Sequence, residues 1–153
     1  MAANSKQQLV PWNPNEKAAR ATPSYGDVEL ESPNCRTLIL TLPYEEGKLR
    51  LLFKDVRAFM TSWDGDPNPF VTFKEAAARP SALMKVKESR WLASGHFHLD
   101  VESSDISANA WEHFYALASE RSVHVAARED VEAAWIPGKW SGAPGAWSFV
   151  EEA

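Results

Sequence analysis

A single cysteine among 153 residues, Cys35, excludes an internal disulfide and any zinc site built on paired cysteines. No stretch comes near 18 consecutive apolar residues, so no membrane-spanning helix is expected. The opening residues MAANSKQQLV carry neither a basic run nor an apolar core. No secretory signal is therefore expected, and with one lone thiol the chain suits the reducing cytoplasm. Only seven glycines occur, and none forms a phosphate-cradling loop or a dinucleotide fingerprint. The Gly-x-Ser-x-Gly elbow and the His-Glu-x-x-His helix are missing too. These absences leave no cofactor to expect.

What is present is an ordinary globular composition, 44% apolar and 24% charged, with a surplus of tryptophan. Seven tryptophans run from Trp12 to Trp147, each bringing a large apolar ring and one N–H that needs a partner. The chain is long enough to bury one core without metal or disulfide staples. Its net charge of −5 is unevenly spread: residues 100–153 hold ten acidic side chains against Arg121, Arg128 and Lys139, a balance of −7. Such a surface repels nucleic acid and attracts basic partners. It equally serves as a solvated face that keeps the protein soluble.

The clearest period lies between Thr37 and Met60. Leu38, Leu40 and Leu42 alternate with Thr37, Ile39 and Thr41, which predicts a strand ending near Pro43. Tyr44-Glu45-Glu46-Gly47 reads as a turn, with Gly47 free to take a positive φ. Lys48 to Phe53 and then Val56 to Met60 alternate again, so an antiparallel meander of three strands is expected. Further strands are expected at 27–31, 70–73, 83–87 and 96–102, and a short helix over 88–95 with Ser89 as its cap and Gly95 as its stop. Residues 107–127 fit either a helical stripe through Ala110, Trp111, Phe114 and Leu117, or a hairpin of 113–117 with 122–126. The hairpin is preferred because Val123 to Val125 needs a strand beside it. A helical turn is expected over Glu129–Trp135. The expected architecture is a single α+β domain, dominated by a twisted antiparallel sheet over 36–136, with one or two short helices. Residues 1–35, punctuated by Pro11, Pro14, Pro23 and Pro33, read as an irregular arm, and 137–153 as an irregular tail.

Three constellations bear on chemistry. Asp64, Asp66, Asn68 and Glu75 stand at calcium-loop spacing, but Pro69 occupies the position where glycine must make the sharp turn. Turn formation explains these residues better. His96, His98 and Asp100 project from one face of an expected strand and could hold zinc for a hydrolase, with His113 or His124 as a distant fourth ligand. The same alternation is what any solvated strand face requires. Finally Glu112, Glu120, Glu129, Asp130 and Glu132 cluster near the expected hairpin, with Trp111 and Trp135 beside them. Carboxylates around an aromatic anchor suit a protein interface; tryptophans are also core residues. A small-ligand-binding β protein with tryptophan cavity walls is a further alternative.

Taken together, LRLLFKDVRAFMTSWDGD, VKESRWL and HFYALASERSVHVAA resemble segments of small bacterial immunity-type proteins encoded beside polymorphic or contact-delivered toxins. The resemblance covers roughly 37–135 and rests on mostly apolar positions in Leu52–Ala58, Ser89–Leu92 and His113–Val125. It implies a non-catalytic binding protein that occludes a cognate toxin; the acidic surface suits a basic one and, with no apolar span, neither nucleic acid nor membrane is expected as a partner. It implies no catalytic residues.

Overall fold

In the computed structural model, residues 7–22, 28–63, 71, 83–94, 111–118, 121–141 and 148–151 are described. The elements are β1 (Gln8–Pro11), α1 (Glu16–Arg20), β2 (Glu29–Asn34), β3 (Thr37–Tyr44), β4 (Gly47–Phe53), β5 (Ala58–Trp63), β6 (Leu83–Lys87), α2 (Arg90–Ser94), β7 (Glu112–Ala118), β8 (Arg121–Ala127), β9 (Val131–Ser141) and β10 (Ser148–Glu151). The fold is α+β and mostly antiparallel sheet, as expected. Its strands divide into two sheets of five, ordered β1-β6-β7-β8-β5 and β10-β9-β4-β3-β2. Among the described residues no helix is long and apolar enough to cross a membrane.

The alternation in β3 and β4 explains how the sheets meet. Leu38, Leu40, Leu42, Leu49, Leu51 and Phe53 are all at most 3% exposed. They share one face because Leu38 pairs with Phe53, Leu40 with Leu51 and Leu42 with Leu49. That face packs on Leu83, Phe114, Ala116, Val123, Val125 and Ala127 of the other sheet to form the main core. Each such side chain withdrawn from water contributes about 1.5–3 kcal/mol. Phe53 meets Phe114 edge-on at 5.2 Å, and Trp12 closes over both at 6.2 and 4.7 Å.

The expected meander is corrected at its third strand. β5 does not pair with β4; it pairs with β8 in the opposite sheet, and β4 takes β9 instead. Asp55 adopts a left-handed conformation, φ 51°, in the turn that carries the chain across. The Arg57 amide then donates to the Ala126 carbonyl at 2.8 Å.

The helical turn expected at Glu129–Trp135 is also corrected. Val131, Ala133 and Trp135 pair with Phe53, Leu51 and Leu49, so this segment runs as strand β9. Burial at period two overrides the helix propensity of Ala133 and Ala134. Pro137 is accommodated because β9 changes partners there: its register with β4 ends at Pro137 and that with β10 begins at Gly138.

Both termini hold more structure than expected. β1 pairs with β6, and Asn15 caps α1 by accepting from the amides of Lys17 and Ala18, placing Ala18 in the core. β10 closes the second sheet. The strand expected at 27–31 is the edge strand β2, which runs on through Pro33 with an irregularity between Glu31 and Asn34. Gly47 has an ordinary φ; it is needed for another reason. A Cβ there would stand 2.5 Å from the Ile136 carbonyl oxygen and 2.7 Å from the Trp135 ring.

Candidate functional site

The hairpin β7–β8 is the one preferred from the sequence, with Phe114 opposite Val125 and Tyr115 opposite His124. This register places His113, Tyr115, Ser122 and His124 on one face, turned away from the core between the sheets and toward α2. Ser89, the expected cap, does cap α2: its Oγ accepts the Leu92 amide at 3.2 Å. The same Oγ lies 2.7 Å from Nδ1 of His113, and Nε2 of His113 lies 2.8 Å from Nδ1 of His124. Further along the face, the hydroxyls of Ser62 and Ser122 pair at 2.7 Å. A polar seam thus crosses the first sheet from α2 to β5.

The seam is enclosed by aromatic rings. Trp91 stands edge-on to His113 at 5.0 Å, and Tyr115 stacks on His124 at 4.6 Å with 17° between planes. His113 is 0% exposed, His124 1% and Ser89 6%. Burial holds the His113 imidazole well below its ordinary pKa, with the neighbouring His124 adding to the effect. Burial alone lowers His124 to about 4. Both rings are therefore neutral at pH 7. A serine 2.7 Å from an imidazole has the spacing of a nucleophile with its base. Here, however, the hydroxyl is buried and already engaged by the helix it caps, so its evident work is to tie α2, β7 and β8 together.

The carboxylates singled out from the sequence lie elsewhere. The β8–β9 turn presents Glu129 and Asp130, and the start of β9 presents Glu132, with side chains 72%, 76% and 60% exposed. Lys85 reaches Glu129 at 2.8 Å and holds its pKa below the ordinary carboxylate value. Lys54 lies 3.1 Å from Glu132 and 4.0 Å from Asp130, and its pKa is raised, first by the hydrogen bond to Glu132. Glu112, at the start of β7, lies 3.9 Å from Lys87. Trp111 is 6% exposed, with Arg128 over its ring at 5.1 Å and no hydrogen-bond partner for its indole N–H among the described residues. Trp135 faces inward against Tyr44 at 5.6 Å. The structure therefore brings Glu129, Asp130 and Glu132 together and keeps both tryptophans toward the interior.

Glu120, the zinc candidates His96, His98 and Asp100, the calcium-spaced residues 64–75 apart from Val71, and the expected strand at 96–102 lie outside the described residues. Among the described residues no group of three or more metal-binding side chains is assembled. The histidine seam escaped the sequence reading although a signal for it exists. Once Ala118 pairs with Arg121, Tyr115 falls opposite His124, and His113 becomes its diagonal neighbour on the same face.

No protein-family model matches the chain, and comparison with curated proteins and with solved structures gives no match.

Proposed function

We propose that this chain is a non-catalytic binding protein, of the kind that protects the bacterial cytoplasm by occluding a cognate toxin. The observation that supports this reading most is the exposed β8–β9 turn and start of β9, where Glu129 meets Lys85 and Asp130 and Glu132 share Lys54. A basic partner would be steered toward that turn by charge, and the sandwich behind it would present the carboxylates at little ordering cost. With Trp111 buried and Trp135 facing inward, the steering falls to the carboxylates and the tryptophans support the framework.

The test is a kinetic titration with the purified product of the neighbouring gene, at low and high salt, using the wild-type chain and a Glu129→Lys, Asp130→Lys variant. A complex is expected, with association of the variant slowed about tenfold or more at low salt and the difference shrinking as salt rises. Absence of a complex overturns the proposal. Equal association rates for the two chains remove this turn from the interface.

A further inference from the structure

Each five-stranded sheet has two edges, and an edge strand exposes backbone N–H and C=O groups that can pair with another chain. Three of the four edges are blunted by their own residues. β1 is four residues long and ends in Pro11, which has no N–H to donate. β10 is also four residues long and ends in Glu151. β2 carries Glu29, Glu31 and Pro33, and its register breaks between Glu31 and Asn34.

β5 is the exception. Ala58-Phe59-Met60-Thr61-Ser62-Trp63 contains no charge, proline or glycine, and it pairs residue for residue with β8 without a bulge. Among the described residues no strand lies on its other side. The second sheet also stops short of it. Phe59 and Thr61 stand opposite Val125 and Val123, which are each 1% exposed, yet Phe59 is 44% exposed and Thr61 is exposed as well. With Leu38, Val56 and Thr37, Phe59 lines a cleft of about 210 Å³ where the sandwich opens. A flat, uncharged edge with a half-exposed aromatic ring is what an added strand would cover.

We propose that β5 is a dimerisation edge: two copies of this chain join antiparallel through β5, merging their first sheets into one sheet with five strands from each copy. The occupant is a second copy because β5 is the one edge, among the described residues, left open. Pairing of β5 with any other edge of the chain would meet proline, acidic side chains or a strand of only four residues. Self-pairing is isologous and closes after two copies, so it yields a dimer rather than a fibre.

A twofold axis requires one residue of the strand to face itself. With Met60 on the axis, Ala58 pairs with Ser62 of the second copy and Phe59 with Thr61, and the same pairs repeat on the other side. The two Phe59 rings then become diagonal neighbours on one face, within reach of each other. None of these pairs buries a charged side chain. The contact is small, so a weak, concentration-dependent dimer is expected. Two copies of charge −5 repel, so salt should tighten this contact, the reverse of its effect on a basic partner at the Glu129–Asp130 turn. The dimer uses none of the carboxylates proposed to meet a toxin, and either reading can fail without the other.

Sedimentation equilibrium of the full-length chain, from micromolar to millimolar concentration, is expected to show a monomer–dimer equilibrium that tightens with salt. Amide exchange should show protection gained with concentration in β5 and unchanged in β2 and β10. Phe59→Lys with Thr61→Lys places charge at two exposed positions of the edge and should weaken association about tenfold or more. Val150→Lys, at a position 59% exposed on β10, should leave association unchanged. A monomer at every concentration overturns the proposal, even one whose β5 gains protection with the neighbouring gene's product, since the edge would then dock another protein. A dimer that survives the two lysines, that Val150→Lys abolishes or that salt dissociates overturns it as well. If the double-lysine chain does not fold, exchange in the wild-type chain decides: dimer without added protection in β5 also overturns it.

Discussion

Substituting Gly47→Ala tests the packing argument at its tightest point. The added methyl would meet the Ile136 carbonyl oxygen at 2.5 Å and the Trp135 ring at 2.7 and 2.9 Å. Ordinary contacts to a Cβ begin near 3.4 Å, so the carbonyl must retreat by nearly an ångström where β4 pairs with β9. Overpacking of this kind costs about 1–3 kcal/mol, offset by up to about 1 kcal/mol from the lower entropy of the unfolded alanine chain. A net loss of about 1–2 kcal/mol is expected, read as a Tm lowered by roughly 2–8 °C for a domain of this size. Urea denaturation followed by tryptophan fluorescence, with thermal melts beside it, measures the loss. A double-mutant cycle then apportions it: in a Trp135→Ala background the ring is gone, and Gly47→Ala should cost at least about 0.5 kcal/mol less. A Gly47→Ala variant as stable as wild type refutes the close approach. Equal costs in the two backgrounds would show that the tryptophan ring does not cover this glycine.

Two further perturbations address the core and the second sheet's outer face. Phe53→Ala, which empties a site 1% exposed between Trp12 and Phe114, should cost about 3–5 kcal/mol in the same denaturation assay, whereas Phe53→Leu should recover much of it. The Lys48 ammonium lies 4.6 Å from the Phe149 ring, 5.1 Å from that of Trp140 and 3.6 Å from Glu29. Lys48→Met should therefore lower stability by about 1 kcal/mol and reduce amide protection in β10 before any other strand.

Sequence alone revealed those strands whose burial is one-sided or whose turn is local. β3 and β4 alternate Leu38, Leu40, Leu42 with Thr37, Ile39, Thr41, and the solvent face differs enough from the core face to show. The hairpin β7–β8 was legible because Val123 and Val125 need a strand beside them. β9 was not, since Glu132-Ala133-Ala134 has helical propensity and its strand character comes from β4, a partner remote in sequence. β1, with four residues, and α1, with five, are too short to show a period. Their stability comes from Leu83, Lys85 and Val86 or from the Asn15 cap. At the candidate sites, Glu129, Asp130 and Glu132 lie close together because they are near in sequence. The inward turn of Trp135 and the joining of His113 to His124 depend on register, which composition does not carry.

The pairing of β4 with β9 also sets how the chain can reach its fold. Lys54 and Glu132, at the end of that pair, are 78 positions apart, and the Trp140 indole bonds the Tyr44 carbonyl across 96. The hairpins β3–β4 and β7–β8 can close early, within microseconds, because each joins strands that are neighbours in sequence. The joining of β4 to β9 must wait for a much larger loop to close, which places such a topology among folders on the millisecond-to-second scale. On the ribosome, β4 emerges well before β9 exists. During that interval its edge is open, and the alternating charges Lys48 and Arg50 are what discourage it from pairing with the edge of another nascent chain.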